Sequence, residues 1–117
     1  REALRNTFIS NHYSGDNPAP VVQNFVAAYR KKFGKEPDSI AALAYDAVKV
    51  LADAITRANT TEGPAVRNAL AAASVAGVTG QLTMDAQRNV SKPAVIQEVT
   101  YQNGAVAFVY RATINPD

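Results

Sequence analysis

The sequence contains no cysteine. Disulfides, thiolate zinc sites and cysteine nucleophiles are therefore excluded. The compartment stays open, because many exported bacterial proteins also lack cysteine. No apolar run approaches the ~20 residues of a membrane span. No signal peptide is present, and the chain opens at Arg1-Glu2-Ala3-Leu4 without a methionine. That start is expected of a piece of a longer protein, so the missing signal says nothing about export. Neither sign of charge dominates: 12 Lys and Arg face 10 Asp and Glu, for a net charge of +2. This mildly basic balance does not argue for a nucleic-acid partner. His12 is the only histidine, and a metal site would need more ligands than it and scattered carboxylates provide. There is no internal repeat and no low-complexity tract.

The residues present suit one small domain or one part of a larger protein: 117 residues, of which 47% are hydrophobic. A chain of this size buries roughly two-thirds of its unfolded surface, so a core is expected and disorder is not. The longest helical pattern comes after Pro37-Asp38-Ser39. Ile40, Leu43, Ala44, Ala47, Val48, Leu51 and Ile55 recur at three- and four-residue steps and define one helix face. Asp46, Lys49, Asp53 and Arg57 define the opposite face, expected to be solvated. Asp38 or Ser39 can cap the first free amides, and Asp53 precedes Arg57 in the favourable order for a helical pair. This helix is expected to be the central packing unit.

Around it the pattern predicts a strand over 6–10 and a turn-rich loop over 11–20, with Asp16 or Asn17 placed to cap the next helix. That helix, over 19–33, carries Val22, Phe25, Val26, Tyr29 and Phe33 on its apolar side. Arg30, Lys31 and Lys32 complement its negative end, and Gly34 stops it. A third helix is predicted over 64–73, with Val66, Ala69, Leu70 and Ala73 inward. From Gly77 the period becomes that of a strand, and 85–89 reads as a turn. Two further strands, over 94–101 and 105–111, flank Asn103-Gly104, a strong hairpin signal. The fold class is α/β: three helices, a short strand and a C-terminal antiparallel hairpin.

Candidate chemistry is sparse. Ser10, Ser14 and Asp16 lie near His12, but neighbours along one extended loop do not form a serine–histidine–acid triad. A loop histidine making rim contacts fits better. The 85–89 segment lacks the glycine and glutamate of a calcium loop. The basic run Arg30-Lys31-Lys32 with Lys35 has no interleaved aromatic platform and reads as a solvated helix end. Gly77 to Gly80 has no phosphate-loop lysine and reads as a turn. Tyr29 fits the packing stripe of its helix, while Tyr13, in a loop, is the better binding candidate. No catalytic residue, metal site or cofactor site emerges. The residues alone describe an α/β domain with a binding role.

Three stretches carry a more specific resemblance. Asn11-His12-Tyr13-Ser14 comes directly after a strand. Phe33-Gly34-Lys35-Glu36-Pro37-Asp38 leads into Ala41-Ala42-Leu43-Ala44-Tyr45-Asp46-Ala47-Val48. Gly77-Val78-Thr79-Gly80 precedes Leu82-Thr83-Met84-Asp85 and then Lys92-Pro93-Ala94-Val95-Ile96. In this order the chain resembles the C-terminal third of the branched-chain amino acid class of ABC-transporter solute-binding proteins. The resemblance implies a fragment of a type I periplasmic-binding-protein fold, whose two lobes enclose a ligand and are joined by three crossings. Residues 1–14 would be a hinge crossing, 20–96 part of the N-terminal lobe, and 97–117 a hinge and return hairpin. The Ala44 and Ala47 face would pack on a sheet lying largely outside this chain. Ile40 would occupy the position where many relatives carry an aromatic residue against the ligand. Tyr13 and His12 would lie at the hinge and cleft rim. The implied partners are an amino acid, branched-chain or related, and an ABC permease; no enzyme activity, cofactor or nucleic acid is implied. Localisation would be periplasmic or extracellular, free or lipid-anchored. The fragment alone is expected to bind amino acids weakly or not at all, and to self-associate. The alternative is a small-molecule-sensing domain of a regulator or receptor with the same fold.

Overall fold

Turn chemistry sets the element boundaries in the computed structural model, which describes residues 2–4 and 6–117. After a short 3-10 turn, Glu2–Leu4, comes β1, Thr7–Asn11. Helix α1, Pro20–Phe33, starts on a proline with its free first turn and stops at Gly34, whose φ of 67° lets its N–H reach Arg30 O at 2.8 Å. Helix α2, Ser39–Ala58, is capped by Asp38, whose carboxylate accepts the Ala41 N–H at 2.8 Å. The Arg57 guanidinium donates to Asp53 at 2.8 Å, as the spacing predicts. Helix α3 is Gly63–Ala71, so Ala73 is buried just past its end rather than within it.

Six strands form two three-stranded antiparallel sheets among the described residues. One has the order β1-β5-β6, with β5 Ala94–Gln102 and β6 Ala105–Ile114. Asn103 and Gly104 turn the hairpin with φ of 50° and 85°, the paired positive values that a two-residue turn of this hand requires. The other sheet is β2-β3-β4: Ser74–Gly77, Gly80–Met84 and Val90–Ser91. Strands β2 and β4 are absent from the sequence reading. One is rich in alanine and glycine and the other is two residues long, so neither carries a period. Between β3 and β4, the Asp85 carboxylate accepts the N–H groups of Gln87 and Asn89, each at 2.8 Å, which builds the predicted turn.

The orientation of α2 reverses the expected assignment of its faces. Ala42, Asp46, Val50 and Ala54 are buried, while Ile40, Ala44, Ala47, Val48 and Leu51 are exposed. Asp46, expected in solvent, is 2% exposed. Its burial is possible because its oxygens accept from Val78 N, Thr79 N and Thr79 Oγ1 at 2.8, 2.7 and 2.7 Å. Gly77 makes room for this contact: a Cβ there would lie 2.5 Å from Asp46 Oδ2. Two small cores result. One joins Tyr13, Val22, Phe25, Val26, Ala42 and Val78. The other joins Val50, Ala73 and Leu82, with Leu70, Val75 and Met84 packed on it.

Packing falls into two bodies. Strands β1, β5 and β6 pack on one another and on the 3-10 turn. Helix α2 packs on α3 and β2, and α1 joins that group through Val22, Phe25 and Val26. The chain passes between the bodies at residues 12–19 and again at 92–93.

Candidate ligand-facing site

The first passage between the bodies places His12 and Tyr13. The His12 side chain is exposed, and its backbone N–H donates to Asn11 Oδ1 at 2.7 Å. Tyr13 turns into the helical body and is 5% exposed. Its ring meets Phe25 edge-on at 6.1 Å between centroids, a favourable aromatic geometry. Its hydroxyl is enclosed without a hydrogen-bond partner. Burial pushes the Tyr13 phenol up to about 12, helped by the charge of Glu36 and opposed by Arg30.

His12, Tyr13 and Ser14 contribute to one groove of about 370 Å³. Thr79 and Gln81 wall it from the helical body, and Tyr110 from β6. The lining sets neutral polar side chains such as Ser14, Asn17, Thr79 and Gln81 among apolar ones such as Val21, Val22 and Val95, and among the described residues it holds no Asp, Glu, Lys or Arg to pair a strong charge. Ile40 does not line it. Ile40 stands on the first turn of α2, 70% exposed, on the outward side of the helix. The structure therefore brings two of the sequence candidates together and leaves the third on a separate surface. Among the described residues, no three His, Cys, Asp or Glu side chains gather as a metal site.

Sequence reasoning missed the chain of side-chain hydrogen bonds that ties the loop at Ser14 to the sheet. Ser14 Oγ donates to Asp16 Oδ1 at 2.5 Å, Gln97 Nε2 donates to Ser14 Oγ at 2.8 Å, and Asn11 Nδ2 donates to Gln97 Oε1 at 3.1 Å. Neither candidate for capping α1 caps it: the N-cap is Ala19, with no side-chain hydrogen bond to the first turn, and Asn17 accepts the N–H of Ala19 itself at 3.0 Å. Asp16 instead accepts the Tyr110 N–H at 2.9 Å. The Asp46 clamp on the Gly77–Gly80 turn did carry a signal. A glycine at each end of Val78-Thr79 marks a backbone that something approaches closely.

A larger concavity, about 800 Å³, lies between α1 and α2 and is lined by Phe25, Tyr29, Phe33 and Tyr45 with Lys32 and Lys49. It holds none of the candidate residues. Size alone therefore does not select the site.

A family profile described as periplasmic binding protein matches residues 1–105. The chain belongs to the periplasmic binding protein family. A leucine-binding protein from Thermotoga maritima is 34% identical and superposes with a TM-score of 0.76, over 98% of this chain and 32% of its own. The branched-chain amino acid transporter substrate-binding protein of Streptococcus pneumoniae, solved with isoleucine, is 32% identical with a TM-score of 0.73, over 89% of this chain and 30% of its own. A solute-binding protein of an ABC transporter from Rhodopseudomonas palustris, solved with 3,4-dihydroxybenzoic acid, reaches a TM-score of 0.82 at 22% identity, over 93% and 31%. That last likeness concerns the fold. As a periplasmic binding protein, the chain spans about a third of the length of these relatives. It matches part of the type I fold, with three helices and two small antiparallel sheets. No helix among the described residues is long and apolar enough to cross a membrane.

Proposed function

We propose that this chain is part of the ligand-binding component of an ABC transporter for amino acids, branched-chain or related. The observation that carries the reading is the 34% identity to the leucine-binding protein across 98% of this chain. In this reading residues 1–14 form a hinge crossing, 20–96 contribute to the N-terminal lobe, and 97–117 form a hinge and return hairpin. The remaining wall of the cleft comes from residues beyond these 117. Ile40 supplies an aliphatic contact to the ligand from the start of α2, and His12 and Tyr13 lie at the hinge and rim. Exposure of Ile40 suits that role, because a cleft residue must be free before the ligand arrives.

The mechanism is capture by closure. Ligand contacts made in the closed state, and absent in the open one, supply the free energy that favours closing. Apolar walls with a few placed polar groups select the ligand. The closed form is then recognised by an ABC permease at the membrane, with the protein periplasmic or extracellular, free or lipid-anchored. The 117 residues alone self-associate, because the outward face of α2 lacks its cover.

Calorimetric titration of the full-length protein with leucine, isoleucine, valine and benzoate tests this. One aliphatic amino acid is expected to bind at micromolar Kd, and Ile40→Asp to weaken it at least tenfold. Absence of binding to every aliphatic amino acid overturns the reading.

A further inference from the structure

We propose that Ser14 and Asp16 form a releasable clasp that sets the angle between the sheet body and the helical body, and so the width of the groove between them. The inference goes beyond the solute-binding reading and needs no ligand.

The loop carrying the clasp is anchored to the helical body. Gln23 of α1 donates from Nε2 to Gly15 O and Asn17 O at 3.0 and 2.7 Å. Tyr13, at the start of the loop, is part of the α1–α2 core. From this anchored loop two side chains reach the sheet. Ser14 Oγ accepts from Gln97 Nε2 in the middle of β5 at 2.8 Å, and both residues are buried. Asp16 Oδ2 accepts the Tyr110 N–H of β6 at 2.9 Å. Ser14 Oγ in turn donates to Asp16 Oδ1 at 2.5 Å, so the two attachments are coupled.

The point of attachment on the sheet is specific. Pairing of β5 with β6 shifts register between Ile96 and Gln97, which face Ala112 and Tyr110 and leave Arg111 unpaired in the ladder. The Tyr110 N–H at this irregularity, on the outer strand, goes to Asp16. Hydrogen bonds of this kind differ from a packed apolar seam. Each exchanges for a bond to water at a small net cost, somewhat more at a carboxylate. The sheet packs mainly on itself and on the 3-10 turn, and the chain crosses between bodies only at 12–19 and 92–93. A few polar bonds therefore bear the orientation. Opening them separates Tyr110 from the loop, and both line the groove.

The absence of native cysteine allows two labels to be placed cleanly. Lys31→Cys on α1 and Gln102→Cys on β5, both exposed, carry spin labels for pulsed electron–electron distance measurement. Asp16→Ala and Ser14→Ala are each expected to broaden the distance distribution at least twofold. In Asp16→Ala, hydrogen exchange at the Tyr110 amide is expected to rise about tenfold, with protection of the Val99 amide in the central strand unchanged. Asp16 is exposed, so its variant carries the test even where Ser14→Ala lowers stability. An unchanged width, in a variant whose Tyr110 amide has lost protection, overturns the clasp. So does unchanged Tyr110 exchange in Asp16→Ala. Neither outcome depends on which ligand the family member binds.

Discussion

Asp46 joins α2 to the β2–β3 turn through a carboxylate that two backbone N–H groups and a hydroxyl satisfy. Asp46→Ala removes the acceptor and leaves those donors enclosed. The expected loss is about 3 kcal/mol of unfolding free energy, since each abandoned buried donor costs roughly 1–3 kcal/mol. Urea denaturation measures it, and Asp46→Asn should lose less because one acceptor oxygen remains. Gly77→Ala attacks the same contact from the other side. Its new methyl would lie 2.5 Å from Asp46 Oδ2 and 2.7 Å from Leu82 Cδ1, so a loss of about 1–3 kcal/mol is expected. Tyr13 gives a prediction of opposite sign. Its hydroxyl is enclosed without a partner, so Tyr13→Phe should leave stability unchanged or raise it by about 1 kcal/mol. The fold favours the neutral phenol. The unfolded chain ionises this group near 10.0 and the folded chain only near about 12, so the folded state holds more protons in between. Stability therefore falls as pH rises across that interval, and Tyr13→Phe should lessen the fall. Urea midpoints of the two proteins, taken at steps of about one pH unit across the tyrosine range, show whether the gap between them widens.

At the scale of elements, α2 presents its most apolar row to solvent. Ile40 is 70% and Val48 68% exposed, with Ala44, Ala47 and Leu51 beside them. A contiguous row of this kind drives association when nothing covers it. Val48→Lys is expected to lower the apparent mass in sedimentation velocity at high concentration while leaving the helical circular dichroism intact. Wild-type residues 1–117 that stay monomeric over the same range would count against self-association. This row also shows how far the sequence could be read. Helix α2 itself was legible, because Asp38, the three- and four-residue period and the Asp53–Arg57 pair all act within the helix. The hairpin at Asn103-Gly104 was legible for the same reason. The direction in which α2 faces was not. Periodicity ranks faces by hydrophobicity, and it cannot register that three hydrogen bonds from a distant turn make Asp46 the better residue to bury. The small sheet of β2, β3 and β4 escaped because its outer strands are short or alanine- and glycine-bearing. At the candidate site, loop position suggested Tyr13, but its packing on Phe25 depends on α1 folding back over it.

For the whole molecule, the proposed two-lobed arrangement raises the question of how tightly one wall of a cleft can hold a ligand. The chain spans 32% of the leucine-binding relative and 30% of the relative solved with isoleucine. An amino acid presents an ammonium and a carboxylate, and binding requires that both exchange water for charged or polar partners. The groove at His12, Tyr13 and Ser14 offers apolar wall and neutral polar atoms but, among the described residues, no Asp, Glu, Lys or Arg, while Ile40 stands on a different surface and offers only an aliphatic contact. Burying one such side chain contributes about 1.5–3 kcal/mol, which falls short of the roughly 4.1 kcal/mol that corresponds to even a ~1 mM Kd. Closure cannot add the rest, because only contacts made to both walls distinguish the closed state from the open one. The 117 residues by themselves are therefore expected to give no calorimetric signal with leucine below about 1 mM, whereas the proposed function expects the full-length protein to bind an aliphatic amino acid at micromolar concentration. A micromolar Kd for leucine from these residues alone would show that the anchoring groups lie within them, and that the cleft is not built from two walls.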